Sequence, residues 1–329
     1  MSISAHRRAA PSPNWFADLE FTWDAIIVRK TGRRIRASDL TPLEIAKFTS
    51  YLIVVLAQGL RARLSAAPGP RVWFTPDRPR PWYVVWSAAT LAGVRFAPDA
   101  AHADAIFYFE DTTTGVCPAA PGRVVLNGGC TDISKSKVAR AFEKVAGYPL
   151  ALDPRTHVGP AVEKNELNGA HDGRIVTCPT PPKLGQCYQA FIDSADGANA
   201  FDYRTTIIGR TPRCVLVKTK PAAQRFSIHN THVRFAALAE MFSTDEINLL
   251  TRFAEEMQLD WAAIDVLRDR ASGRIYVVDV NKTDTGPAVD LSWADRERLK
   301  AAIATGFLEM LRAPAARGVT EDTSIRRTA

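Results

Sequence analysis

Apolar and polar positions alternate along this chain in two rhythms, and the first half is the helical and parallel one. Residues 41–64 carry a helical pattern, with Thr41 as cap, Pro42 in the first turn and Glu44 as an early acid. The stretch Ser65-Ala-Ala-Pro-Gly-Pro70 breaks that pattern and marks a boundary. Beyond it, Arg71–Phe74, Ala105–Phe109 and Arg123–Leu126 read as strands, and Trp82–Ala92 as a helix. Lys135–Val145 reads as a second helix, marked at its start by Asp132 and Ser134. Val138, Ala141, Phe142 and Val145 share one of its faces. Strands alternating with helices predict a parallel sheet with ligands at the strand ends.

From about Leu152 the rhythm becomes antiparallel. Ala161–Lys164, Arg174–Thr177, Tyr188–Ile192, Thr205–Ile208 and Val215–Lys218 read as strands. Ser243-Thr-Asp-Glu246 is a capping box for a helix bearing Ile247, Leu250, Phe253 and Met257 at helical spacing. A hairpin follows, with Ile264–Leu267 and Arg274–Val280 flanking the turn 269–273, and Arg296–Leu311 closes the chain as a helix. The expected division is a 1–66 extension, disordered over 1–13 and then helical, an α/β part over 67–150, an α+β part over 151–312, and a disordered tail, 313–329.

Composition narrows the class. A chain of 329 residues, 46% hydrophobic and 23% charged, builds a sizeable core without disulfides or a structural metal. Its longest apolar stretch, Tyr51 to Ala57, is too short to span a membrane, and the first residues lack the apolar run of a signal peptide. The five cysteines, at 117, 130, 178, 187 and 214, form no C-x-x-C pair, which fits a reducing cytoplasm. His229 and His232 have no third ligand in view. The net charge of +7 lies mostly at the ends: residues 1–36 hold seven cations against Asp18, Glu20 and Asp24. A nucleic-acid protein carries its basic stripe on the folded part, so nucleic acid is not the expected partner.

The chemistry concentrates in the hairpin. Asp265 lies on its first strand, and Asp279 and Asn281, two residues apart, share a face of its second. Two carboxylates and an amide oxygen make a hard oxygen site suited to Mg²⁺, which takes phosphate oxygens as further ligands, so a nucleotide is implied. The plainer alternative is that Asp279-x-Asn281 merely enters a loop. Upstream, Lys164 precedes a loop with Gly169 and Gly173, one way of holding phosphates. Asp202-x-Arg204 shares a strand face, where Arg204 is either an anion ligand or half of a structural ion pair. Lys218, Lys220 and Arg225 add cations that are individually ordinary surface residues.

In this order the elements resemble the ATP-grasp superfamily, over roughly residues 70–310. The most specific stretch is Leu259-Asp-Trp-Ala-Ala-Ile-Asp-Val-Leu-Arg-Asp269 with Arg274-Ile-Tyr-Val-Val-Asp-Val-Asn281. A similar pattern occurs in carboxylate–amine ligases such as glutathione synthetase, D-alanine:D-alanine ligase and the ribosomal-protein glutamate ligase. The resemblance implies an ATP-grasp fold preceded by a small parallel α/β domain. It also implies ATP and Mg²⁺ (or Mn²⁺) as cofactors, with Asp265, Asp279 and Asn281 on the metal. Lys137, or Lys135 in its place, and Lys164 would meet ATP phosphates; Gln189, Ala190, Phe191, Ile192 and Asp193 would line the adenine site. Arg204, Lys218 and Arg225 would act at the transferring group. Three features depart from the family pattern: the loop has few glycines, the hinge at Gln189–Asp193 has Gln189 and Asp193 as the nearest candidates for its usual acid, and Asp279 stands where Glu is commoner.

The implied activity is an ATP- and Mg²⁺-dependent carboxylate–amine ligase working through an acyl phosphate on a small-molecule or peptide substrate. The absence of any Ser/His/Asp or Cys/His pattern agrees with a mechanism lacking a covalent enzyme nucleophile. The alternatives are a kinase on the same scaffold and a nucleotide-binding regulatory subunit without turnover. A cytoplasmic protein without a membrane partner is expected, with a homodimer as an open option.

Overall fold

The computed structural model of this chain describes residues 14–29, 34–36, 42–65, 69–170, 172–227, 230–286 and 291–313. The expected cap Thr41, residue His229 and the terminal stretches 1–13 and 314–329 lie outside the described residues. The N-terminal extension is not simply a lead-in to a helix. Strands β1 (Leu19–Phe21), β2 (Ala25–Val28) and β3 (Arg34–Arg36) form an antiparallel sheet. The turn between the first two is closed by the Thr22 N–H and hydroxyl, both donating to the Ala25 carbonyl. These strands are three or four residues long, too short for a periodic signal. Arg80, buried, pairs at 3.2 Å with Asp18, the residue just before β1.

Helix α1 (Pro42–Ser65) matches its expected span almost to the residue and packs on α2 (Val84–Leu91). Gly59 permits that approach: a Cβ there would stand 3.0 Å from the Trp86 ring. Strands β4 (Arg71–Pro76), β5 (Arg95–Phe96), β6 (Ala105–Phe109) and β7 (Val125–Leu126) form a parallel sheet in the order β5-β4-β6-β7. All five residues of β6 are buried, as expected of a parallel strand covered on both faces. Val72, Phe74 and Phe107 pack with Val85 and Ala88 of α2, and with Ile303 and Phe307 of the last helix, α6 (Trp293–Arg312). The last helix thus returns to the parallel sheet.

Helix α3 (Lys135–Ala146) precedes a three-stranded antiparallel sheet in the order β10-β8-β9, made of β8 (Gly159–Asn165), β9 (Arg174–Cys178) and β10 (Gln186–Ala190). Phe191 and Ile192, expected at the end of a strand, follow it instead. Strands β11 (Asn199–Ile208), β12 (Thr211–Pro221), β13 (His232–Ala236), β14 (Trp261–Arg268) and β15 (Ile275–Asn281) form an antiparallel sheet in the order β13-β12-β11-β14-β15. A single turn, α4 (Leu238–Met241), leads to α5 (Thr244–Glu256). The expected capping box of α5 is present: the Ser243 hydroxyl accepts from the Glu246 amide, and Glu246 accepts from the Ser243 amide.

One face of the five-stranded sheet is apolar. Val215, Val217, Ile264, Val266, Val277 and Val280 pack there against Val138 and Phe142 of α3 and Leu250 and Phe253 of α5. Alternation along each strand therefore sends the residues in between to the opposite face. The parallel and antiparallel parts are sutured by Asn127. Its amide nitrogen donates to the Trp261 carbonyl (2.9 Å), and its amide oxygen accepts from the Trp261 N–H (3.0 Å).

Candidate functional site

The site lies on the polar face of the five-stranded sheet. In the β14–β15 ladder Asp265 faces Asp279 and Ala263 faces Asn281. Their neighbours Ile264 and Val280 enter the core, which turns Asp265, Asp279 and Asn281 together to the other side. A bulge follows at once: Val266 pairs with Val277, leaving Val278 as the extra residue. The Val278 carbonyl accepts a 2.9 Å hydrogen bond from Lys164 Nζ. The lysine of the β8–β10 sheet thereby reaches the edge of the large sheet.

Cations converge on these carboxylates from separate elements. Arg204 lies directly across from Asp265 in the β11–β14 ladder, with Nη1 3.2 Å from its carboxylate. Lys218 of β12 stands 3.6 Å from Asp265 and 3.8 Å from Asp202. Lys135, buried at the start of α3, donates to Asp279 and, at 3.1 Å, to the amide oxygen of Asn168. The Asn168 amide nitrogen donates in turn to the Asn281 side-chain oxygen at 3.1 Å.

Burial and charge set the ionisation of this cluster. Burial raises the Asp265 carboxyl, but the Lys218 and Arg204 cations outweigh it and hold it at about 2. Asp202 moves the other way, pushed up by burial and then by the Asp265 charge. Its buried Oδ1 has no hydrogen-bond partner among the described residues. Burial pulls Lys164 down to about 8, against the attraction of Asp279, and it likewise lowers Lys220. Asp284, raised by burial, accepts a 3.3 Å hydrogen bond from the Trp261 indole.

Gln189 is buried on β10, its side-chain nitrogen without a hydrogen-bond partner among the described residues. The Ala190 N–H is bonded to the Leu150 carbonyl. Ile192 belongs to the core, whereas the Phe191 ring is covered by the Arg225 guanidinium at 4.8 Å. Arg225 also lies 3.5 Å from the Asp193 carboxylate.

No family model and no curated protein matches the chain. Among solved structures it is similar to the ATP-grasp ligase PsnB complexed with a minimal precursor, Mg and ADP. The identity is 16%, over 56% of this chain and 62% of that chain, with a TM-score of 0.40. The L-amino acid ligase from Bacillus licheniformis is similar at 13% identity over 75% of each chain (TM-score 0.44). So is a RimK domain protein ATP-grasp from Sphaerobacter thermophilus, at 14% identity over 74% of this chain and 100% of that one (TM-score 0.46). The chain spans less than two thirds of the PsnB chain in that complex.

The structure brings together Asp265, Asp279, Asn281, Arg204, Lys218 and Lys164. It does not bring Lys137 to them. Lys135 makes the contact to Asp279, because residues two apart on a helix point to different sides and Lys135 shares the face of Val138 and Phe142. That spacing, three and seven residues, was the available signal. Arg225 sits at the hinge rather than beside Asp265, since it leaves β12 after its last paired residue, Pro221. Sequence reasoning did not find Asn168 or Glu166. Both lie in the loop after Lys164, whose path no periodicity encodes.

Proposed function

We propose that this chain is an ATP-dependent ligase of the ATP-grasp type, joining a carboxylate to an amine. The observation that carries this reading is the meeting of Lys135, Lys164, Arg204 and Lys218, from four separate elements, at the Asp265/Asp279/Asn281 face of one hairpin. A fold does not gather four shielded cations around two carboxylates for stability alone, because desolvation offsets much of the attraction between buried ion pairs.

The donor set fits Mg²⁺. Three hard oxygen-bearing groups on one face are too few for an all-protein cage and leave positions for phosphate oxygens. When bound, the ion would neutralise charge on the phosphates. Lys164 and Lys135 would take the remaining phosphate charge. Arg204, oriented by Asp265, presents a planar fork to a carboxylate or to the transferring phosphoryl group. Gln189, with a buried donor to spare, would meet an acceptor atom of the base beside the Gln189–Asp193 hinge.

In the reaction a substrate carboxylate oxygen attacks the γ-phosphorus, and the bond from phosphorus to the ADP oxygen breaks. The acyl phosphate is then attacked by an amine, which loses a proton as inorganic phosphate leaves. Cations fixed in place stabilise the charge that builds on the transferring group.

The test is incubation with ATP, Mg²⁺ and a pool of amino acids, small carboxylic acids and short peptides. ADP and phosphate should appear together with a condensed product one water lighter than its two parts. ADP without free phosphate, together with a phosphorylated hydroxyl compound, would identify a kinase instead. Failure to bind ATP at all would end the ATP-grasp reading.

A further inference from the structure

The loop that follows Lys164 is folded into the site. Glu166 places its carboxylate on the first turn of α3: the Ser136 N–H donates to it at 3.0 Å and the Ser136 hydroxyl donates to its other oxygen. Two residues later, Asn168 spans the cluster. Its amide oxygen accepts from Lys135 and its amide nitrogen donates to the Asn281 oxygen, each at 3.1 Å. Its own N–H donates to the Thr113 hydroxyl at 2.8 Å. The protein thus supplies a carboxylate on Ser136, one residue along the chain from Lys135, and engages the one amide oxygen of the proposed metal face.

We propose that residues 165–170 form an autoinhibitory strap, in which Glu166 and Asn168 fill the positions that a nucleotide phosphate and its metal take. Nucleotide entry then requires the strap to release both anchors. This inference rests on the proposed nucleotide site and concerns how access to it is controlled.

Three features make the strap releasable. Leu167, its large apolar residue, is 57% exposed and holds nothing down. Gly169 takes a left-handed φ of 77°, a conformation from which a glycine swings at little cost. The anchors are polar contacts that phosphate and water can replace in kind, whereas a segment held by buried apolar area opens only at high cost. A ligand that binds only the open form has its apparent affinity reduced by the fraction closed, so weakening the strap tightens binding.

A static role makes the opposite forecast. If Glu166 merely caps α3 and Asn168 merely orients Asn281, removing either one loosens the site and weakens nucleotide binding.

The experiment measures ATP affinity with Mg²⁺ by calorimetry on the full-length protein, Glu166→Gln and Asn168→Ala, with amide exchange over residues 136 and 165–170 in the absence of nucleotide. The expected result is faster exchange in both variants and ATP binding tighter by about five- to tenfold. Unchanged or weaker affinity in both variants, with normal binding by the parent, overturns the strap and leaves the proposed function standing. Absence of ATP binding in parent and variants alike overturns the nucleotide site, and the strap with it. Asn168→Ala, on a partly exposed loop, keeps the test available if Glu166→Gln folds poorly.

Discussion

Asp265 and Asp279 face one another across the β14–β15 hairpin, and each is held by different cations: Asp265 by Arg204 and Lys218, Asp279 by Lys135. The two carboxylates are therefore close without being an uncompensated like-charge pair. In the proposed function, a metal and phosphates would exchange places with some of these partners.

It also fixes the behaviour of Asp279→Asn. From spacing alone, the substitution is expected to relieve repulsion and raise the stability of the free protein. The structure reverses that expectation, because Lys135 is 7% exposed and would lose its carboxylate. Losing a charged partner from a shielded pair should cost about 1–3 kcal/mol. The melting temperature of the free protein should fall, and Mg²⁺-dependent ATP binding should be lost. Asn281→Asp should lose ATP turnover with a smaller change in melting temperature. Calorimetric scans and turnover measurements on both variants check the pair.

Lys164 gives a pH signature. Its folded pKa of about 8 lies below the ordinary 10.5 because burial disfavours the charge. Between those values the unfolded chain binds more protons than the folded one, so stability rises with pH across that window. Below the folded pKa the full cost of the shut-in ammonium is present. Lys164→Met should abolish the rise and weaken ATP binding. Phosphate beside the lysine favours its charged form, so ATP binding at about pH 9 should take up protons. Calorimetry in buffers of different ionisation enthalpy measures that uptake, and zero uptake would separate Lys164 from the phosphates.

Glu163 anchors the small sheet that carries Lys164. It accepts hydrogen bonds from Tyr188 at 2.7 Å and Lys183 at 3.0 Å, and from Arg174. Burial raises its carboxyl, but these partners outweigh it and bring it from 4.5 down to about 2. Its contribution is present in full above pH 4.5 and is lost as pH falls through about 2. Glu163→Gln should lower the melting temperature at neutral pH and flatten acid unfolding in that window. A variant with the parent's acid profile would show that the pairing contributes nothing.

Asn127→Ala tests the suture between the two parts of the chain. Asn127 has a left-handed φ of 60°, and its side chain makes two hydrogen bonds to the Trp261 backbone. Alanine loses both bonds and is disfavoured at that φ, for a cost of about 2–3 kcal/mol. Urea unfolding should show a lower midpoint, and an unchanged midpoint would mean that the suture is redundant.

Much of the architecture was legible because it follows from local rules. The Ser243 capping box, the α1 span, the buried run of β6 and the α3 face of Val138 and Phe142 all appear where periodicity and capping put them. So does the shared face of Asp279 and Asn281, since a strand alternates every two residues whatever surrounds it. The short N-terminal strands were missed because three or four residues carry no measurable period.

By itself, then, the sequence determined which residues lie on a common face of each helix and strand, because dihedral geometry is local. Only the tertiary structure decided which faces meet. Lys135 reaches Asp279 across 144 residues, and Lys164 reaches the Val278 carbonyl across 114. Neither contact has a local signature; each depends on how α3 and the small sheet dock against the hairpin. The same holds for Glu166 and Asn168, whose loop takes its path from partners on α3 and β15 rather than from its own composition. Contacts of that range depend on apolar burial holding the layers together, which is why spacing located the carboxylates and the fold alone chose their cations.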